Sequence, residues 1–152
     1  MQNFDDNEVT LITLLSEIGA IEQIARSKLD SALPGNLNIS NFALLNHFSR
    51  RNEEKTPLQL AKIFNVTKGA MTNTLNKLEN LGYIHIRPDW EDARKKLVSI
   101  SQSGIKARDN AMEIIKPILN KIILNTNNLN ERNLLAELRK FRETVESSFI
   151  ED

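Results

Sequence analysis

The stretch that decides the fold is residues 56–104, TPLQLAKIFNVTKGAMTNTLNKLENLGYIHIRPDWEDARKKLVSISQSG. Residues 56–59, Thr-Pro-Leu-Gln, combine a capping-box pattern with proline at the first helical position. This pattern predicts a short helix over 57–64. Asn65 follows, and asparagine tolerates the left-handed backbone that turns a chain. The segment therefore begins with a helix and a tight turn.

A second helix follows the turn. Thr67 can cap it, and the pattern predicts that it spans 68–81 and ends at Gly82. Apolar residues occupy one face of this helix, and uncharged polar or basic residues occupy the other. Two short helices joined by about three residues are typical of a helix-turn-helix. The polar outer face consists of Lys68, Gly69, Thr72, Asn73, Asn76 and Lys77.

A β-hairpin is predicted next. Residues 83–87 and 97–100 are rich in β-branched side chains and alternate in polarity, and the charged segment 88–95 separates them. A helix-turn-helix followed by such a hairpin predicts a winged helix. The fold class is therefore mainly α with a small β-hairpin wing.

Long amphipathic helices flank this core on both sides. Apolar residues recur at three- and four-residue steps over 11–29, 105–122 and 134–149. These stripes exceed what a small winged-helix core can cover, so we expect two chains to bury them by pairing. The predicted organisation is one domain, 1–152, with a winged helix-turn-helix region at 39–104 and helical dimerisation regions at 1–38 and 105–152.

Two local features of the flanking helices carry predictions of their own. Ser40 resembles the N-cap of a helix that runs through Arg50, with Ile39 and Leu44 spaced as a hydrophobic staple. Pro117 lies inside an apolar pattern that resumes beyond it. We therefore expect this proline to kink its helix and not to end it.

The charge of the chain is unevenly distributed. The formal net charge is zero, but residues 55–108 hold 10 basic and 4 acidic side chains, a net charge of +6. Residues 1–54 carry a net charge of −4 and residues 109–152 a net charge of −2. The excess of positive charge thus lies on the predicted winged helix, and the neutral total does not exclude a nucleic-acid partner.

Several function classes have no support in the sequence. The chain has no cysteine, which excludes disulfides, thiolate catalysis and cysteine-based zinc sites. His47 and His85 alone make a poor metal site, so we expect neither a metal nor a cofactor. Catalytic spacings and phosphate-binding loops are absent, and we expect no enzyme. The acidic residues 1–10 and the lack of a long apolar stretch predict a cytoplasmic protein without a membrane partner.

Residues 92–104 resemble the wing signature of the MarR (multiple antibiotic resistance regulator) family, Asp-x-Arg, three residues, Val-x-Leu-Thr, two residues, Gly. The spacing agrees throughout, with isoleucine and serine in place of leucine and threonine. Residues 78–84 are similar to the family's Leu-Glu-x-x-Gly-Leu-Val junction. Ala93 stands where the family often has a second arginine, and Lys95 and Lys96 supply basic charge instead.

The outer face of the second helix suits the DNA major groove, which admits an α-helix. Asn73 and Asn76 can pair with adenine edges, and Thr72 can meet a thymine methyl or a phosphate. Gly69 allows a close approach. On an isolated helix such a face is more typical of solvent exposure, but within a basic winged helix we predict DNA contact.

The resemblance implies that Arg94 enters a narrow minor groove while Asp92 holds its guanidinium. A surface ion pair of little energetic value is the alternative. Other basic residues are better suited to phosphate contacts, which add affinity without sequence information. These are Lys68, Lys95, Lys96 and Arg87, with Arg50 and Arg51 as weaker candidates.

We therefore expect a bacterial MarR-like transcriptional regulator, a repressor that binds double-stranded operator DNA as a homodimer. The resemblance also implies a small-molecule effector that releases the DNA, with an unknown binding site. Two alternatives stay open at this point. One is a helical protein–protein interaction module, and the other is a DNA-binding protein without operator specificity.

Overall fold

The computed structural model describes residues 5–51, 53–126 and 129–149. They divide into two compact units, Met1–Lys116 and Pro117–Asp152, which we treat separately. The mainly helical fold class with a hairpin wing is confirmed. The elements are α1 (Asp6–Ala32), α2 (Ile39–Arg51), α3 (Pro57–Ile63), α4 (Lys68–Asn80), β1 (Ile84–Pro88), β2 (Lys96–Ile100), α5 (Gln102–Asn125) and α6 (Glu131–Ser148).

The helix-turn-helix forms as its local signals predict. Thr56 caps α3 through a complete capping box, and Thr67 caps α4 by accepting the Ala70 N–H. Asn65 has a φ of 50° and Gly82 a φ of 70°, so both turns use the left-handed backbone that these residues tolerate. The boundaries of the two helices are therefore set by caps and turn residues that lie within a few positions of the helix ends.

The start of α2 differs from the prediction. The helix begins at Ile39, and its cap is Asn38, whose side-chain oxygen accepts the Asn41 N–H at 2.9 Å. The Ser40 cap and the staple built on it are therefore wrong. With the cap at Asn38, the staple positions fall on Leu37 and Phe42, and both side chains are buried.

The wing is a two-stranded antiparallel sheet with an additional rung. Ile86 pairs with Val98 and Pro88 with Lys96 across β1 and β2. On the other side of β2, Lys55 and Val98 exchange backbone hydrogen bonds of 3.2 and 2.9 Å. Lys55 is therefore an outer strand position of the wing.

The first unit has one core, and α5 is attached to it by polar and apolar contacts. Arg108 on α5 donates two hydrogen bonds, of 3.0 and 2.8 Å, to the side-chain oxygen of Asn46 on α2. Its neighbours on α5, Ala111 and Ile115, are buried. The largest fully buried side chains of the described residues are Phe48, Leu44, Leu45, Leu60, Leu75, Leu78, Ile84 and Val98.

The end of α4, the start of the wing and the start of α5 meet at a tight junction. The Ser101 hydroxyl donates to the Gly82 carbonyl at 2.6 Å and accepts the Gly104 N–H at 2.9 Å, so Ser101 caps α5. A Cβ on Gly104 would lie only 2.0 Å from the Tyr83 carbonyl oxygen. Glycine is therefore required here by the close approach of two backbones.

The flanking helices keep apolar side chains on their surfaces. None of the described residues of α1 or α6 is buried, and the helix α5 continues through Pro117 as predicted. Across the described ranges, no helix combines the length and the apolar character that a membrane crossing requires. Large apolar residues exposed on α1 are Val9, Leu11, Ile12, Leu14, Leu15, Ile21 and Ile24.

We predict that Gly104→Ala destabilises the protein by about 1 to 3 kcal/mol, because the new methyl group overlaps a backbone carbonyl that cannot rotate away. Chemical denaturation would measure the change. Gly19→Ala is the matched control, since nothing lies within 4 Å of a Cβ there. It should stabilise the protein by about 0.5 to 1 kcal/mol. Equal stability of the two variants would contradict the tight junction.

Candidate DNA-binding surface

The outer face of α4 is free for a partner. Its inner residues Met71, Leu75 and Leu78 are buried, which fixes the rotation of the helix. The opposite face carries all six residues predicted to contact DNA, and each of them is exposed. We call this set the recognition face; it consists of Lys68, Gly69, Thr72, Asn73, Asn76 and Lys77.

The polar groups of the recognition face are not equivalent. The Thr72 hydroxyl donates to the Lys68 carbonyl at 2.8 Å, so its proton is used inside the helix and its methyl group is the part left to meet a base. The amides of Asn73 and Asn76 make no hydrogen bond to any described residue. They can therefore offer both a donor and an acceptor to a base edge.

The wing tip, residues 89–95, holds Arg94 in a defined position. Its side chain is 92% exposed, yet its Nε donates to Asp92 Oδ1 at 3.1 Å. The backbone N–H of Arg94 donates to the same oxygen at 3.2 Å. The Arg94 side chain, followed by this backbone bond, lowers the pKa of Asp92 below its ordinary value. The predicted Asp-x-Arg contact is thus present in the structure.

Backbone bonds close the wing tip into a compact turn. The Asp89 N–H donates to the Lys95 carbonyl at 3.0 Å, and the Lys95 N–H donates to the Asp92 carbonyl at 2.8 Å. The Asp89 carboxylate also accepts the Glu91 N–H at 3.0 Å. Two of the three acidic groups at the tip thus act within it as hydrogen-bond acceptors, which organises the loop around the exposed arginine.

A groove of about 390 Å³ joins the recognition helix to the wing. It brings the predicted groups Lys68, Thr72 and Asn76 of α4 together with Arg94, Lys95 and Lys96 of the wing, over a floor that includes Leu75 and Ile86. Gly69, Asn73 and Lys77 of α4 and Asp92 of the wing lie outside its lining. The sequence identified Thr56, Pro57 and Leu58 only as a helix start, but all three line this groove.

The three arginines predicted to contact phosphates outside the groove differ in their exposure and in their ion-pair partners. Arg50 and Arg51 are exposed in the last turn of α2. Arg87 is instead engaged by Glu54, through an Nε to Oε1 bond of 3.0 Å and a second bond from its Nη2 to Oε2. This ion pair competes with the phosphate contact predicted for Arg87, and no pattern in the sequence links the two residues.

A second recess lies on the other side of α4. It has a volume of about 360 Å³ and apolar walls, with Arg26 at its edge bonded to Ser40 Oγ at 3.0 Å. No sequence pattern indicates this recess, because its lining comes from α1, α2, α4 and the turn between α3 and α4. Its remaining lining residues are Ile39, Ala43, Leu44, Phe64, Val66, Ala70, Met71 and Thr74.

His47 lies in an aromatic environment. The His47 ring packs edge-on against Phe48 and Phe64 at centroid distances of 5.9 and 5.6 Å. Burial, followed by the charges of Arg51 and Lys55, lowers the pKa of His47. Within the described part of the chain, no group of three or more His, Cys, Asp or Glu side chains is placed to hold a metal ion.

Known proteins share this arrangement. A family model described as MarR family matches residues 36–95. The transcriptional regulator BldR from Sulfolobus solfataricus superposes with a TM-score of 0.80 at 25% sequence identity, over 93% of this chain and 99% of that chain. Residues 36–95 thus match the MarR family, and the chain shares the fold of the transcriptional regulator that superposes on it.

Other solved structures agree in fold. A mutant of MarR from E. coli, complexed with operator DNA, has a TM-score of 0.73 at 24% identity, over 90% of this chain and 97% of that chain. An organohalide-sensing transcriptional regulator in its 2,4-dichlorophenol-bound form has a TM-score of 0.69 at 19% identity, over 93% of this chain and 82% of that chain. No curated protein sequence matches the chain.

The family match over residues 36–95 and the shared fold confirm the predicted MarR-type winged helix-turn-helix architecture, which is that of a transcriptional regulator and not of an enzyme. The roles of individual side chains on this MarR-family surface stay predictions.

We predict that Arg94→Ala raises the pKa of Asp92 toward its ordinary value, because the largest stabiliser of the carboxylate is removed. NMR titration of the side-chain carboxyl carbons would measure it. Because the pKa of Asp92 is lowered in the native protein, its carboxylate stays charged and keeps its contact with Arg94 until the pH falls below that pKa. Lys96→Ala is the control, since Lys96 makes no ion pair with Asp92. An unchanged Asp92 pKa in Arg94→Ala would refute the contact.

Proposed function

We propose that this MarR-family protein is a sequence-specific transcriptional repressor that binds operator DNA as a homodimer. The groove between α4 and the wing carries the proposal, because it gathers the cations Lys68, Arg94, Lys95 and Lys96 beside neutral hydrogen-bonding groups. Such a surface suits a duplex, whose phosphates take the cations and whose base edges take the amides. The protein would act in the cytoplasm.

The side chains of this surface fall into two groups. Some recognise the DNA sequence, and the others position the protein on the duplex. Asn73 and Asn76 on α4 are matched to adenine edges in the major groove, where each base pair presents a distinct pattern. Lys68, Lys95 and Lys96 supply phosphate contacts, which are independent of sequence. Arg94 enters the minor groove beside the wing, held at a fixed reach by Asp92.

Pairing of two chains follows from the flanking helices. In α1, seven large apolar side chains are between 41% and 64% exposed, and no residue is buried. In α6, Leu134, Leu135 and Leu138 are similarly exposed. Burial of such stripes against a second copy removes them from water. A two-fold dimer then presents two α4 helices to a pseudo-palindromic site.

Release of the DNA is assigned to a small-molecule effector. A related regulator is described in a form bound to 2,4-dichlorophenol, and the recess behind α4 has the volume and apolar walls of a small-ligand site. For this chain, an effector must bind the free form more tightly than the DNA-bound form. A thiol switch has no place in the proposal, since the chain lacks cysteine.

We predict that Arg94→Ala weakens binding to the operator by about 1 to 3 kcal/mol, because the minor-groove contact is lost. The operator would first be obtained by selecting bound fragments from genomic DNA, and affinities would then be measured by fluorescence anisotropy. Unchanged affinity in Arg94→Ala would remove the wing from the mechanism.

Two further variants separate base contacts from phosphate contacts in the same assay. Asn73→Ala should change the preferred sequence, whereas Lys95→Ala should mainly reduce the salt slope, by about one counterion. If the two behave alike, the division of roles is wrong. Salt-dependent binding without sequence preference would favour nonspecific DNA binding, and a failure to bind any duplex would favour a protein-interaction module.

We also predict a homodimer at micromolar concentration, measured by sedimentation equilibrium. Replacement of two exposed apolar residues of α1, Leu11→Glu with Leu15→Glu, should yield a monomer because like charges would then face each other in the interface. Leu58→Glu is the matched control, as this exposed residue lies outside the predicted dimerisation helices and should leave the dimer intact. A monomeric native protein would overturn the two-headed mechanism.

A further inference from the structure

Trp90 is an exposed aromatic side chain that the proposed DNA contacts leave without a role. It is the only tryptophan of the chain, and 86% of its surface is exposed at the wing tip. A single exposed apolar residue needs no explanation by itself. What distinguishes Trp90 is that its neighbours hold the ring in place.

Arg87 and Glu54 form the support of the ring. The Arg87 guanidinium lies 5.4 Å from the centroid of the Trp90 ring, within the range of a cation–π contact. The Glu54 carboxylate engages the same guanidinium through two of its nitrogens. The guanidinium lies over one face of the indole, and the ring stays 86% exposed, so the opposite face is open to a partner.

The wing tip sets the ring beside the minor-groove arginine. The backbone bonds from Asp89 to Lys95 and from Lys95 to Asp92 close one turn that carries both Trp90 and Arg94. The chain therefore presents a fixed flat apolar surface and an exposed cation on a single small loop. The adjoining cations, Lys95 and Lys96, favour a polyanion as the partner of this loop.

We propose that the open face of Trp90 packs on deoxyribose along the wall of the minor groove that Arg94 enters. This inference rests on the proposed function. Deoxyribose offers apolar C–H groups between the phosphates, so an aromatic ring can gain contact there without reading the sequence. Arg87 is then a positioning residue for the indole and not a phosphate contact.

Trp90 emission reports the contact directly, because the chain has no other tryptophan. The test titrates native protein with a mixed-sequence duplex of about 30 base pairs, long enough for two half-sites one helical turn apart, at low salt. A label on the DNA reports binding by anisotropy, and acrylamide quenching reports access to the ring. We expect bound DNA to reduce the quenching constant by about twofold or more, since one exposed face becomes covered.

Variants test the energy of the contact. Trp90→Ala should weaken binding about tenfold, within the range known for aromatic contacts to nucleic acid, with an unchanged salt slope because no charge is removed. Trp90→Phe keeps a flat ring and should bind within about twofold of the native protein. Arg87→Ala should lower the emission anisotropy of Trp90 in the free protein, whereas Lys96→Ala should not.

The outcomes separate this inference from the proposed function. If the labelled DNA binds and the Trp90 quenching constant is unchanged, or if Trp90→Ala binds like the native protein, the ring contact is refuted while DNA binding stands. If the Trp90 ring stays exposed when DNA is bound, the ligand that covers it would be a partner protein. If the labelled duplex does not bind at all, both proposals fall.

Discussion

The contact between Gly104 and the Tyr83 carbonyl is the constraint on which the rest of the DNA-binding unit depends. At this point α4 has just ended, β1 is about to begin and the first turn of α5 passes close to both. The close approach is between backbone atoms, so a change of rotamer cannot relieve it, and the Ser101 hydroxyl adds a hydrogen bond to the Gly82 carbonyl. The direction of the first turn of α5 is therefore tied to the end of the recognition helix by a close backbone approach and by the Ser101 hydrogen bonds.

Local signals made most of this fold predictable. Caps, turn residues and alternation act over three or four positions, and a sequence displays them in full, as at Thr56 and Thr67. The start of α2 was misassigned because Asn38 and Ser40 both match a cap, and only the bond to Asn41 decides between them. Contacts between distant residues leave no such pattern.

The residues of the candidate site divide in the same way, into those that local patterns identify and those that only contacts between distant residues bring together. The recognition face could be identified from periodicity, and the Asp92–Arg94 pair from its spacing within one loop. The groove that unites them needs the packed positions of three elements, and the Glu54–Arg87 pair spans 33 residues. The Glu54–Arg87 pair changes which cations can contact DNA. Arg87 is neutralised by Glu54, an acidic residue of the amino-terminal third, whereas Lys68 and Lys96 have no ion-pair partner among the described residues.

The rung between Lys55 and Val98 has a mechanical consequence for regulation. It continues the wing sheet into the segment that leads from α2 to α3, so the hairpin is attached along both edges of β2 and cannot swing about its own base. The helix-turn-helix and the wing are then joined in one unit. In the proposed dimer, a regulatory signal would gain little by bending the wing and would act most effectively on the distance between the two winged helices.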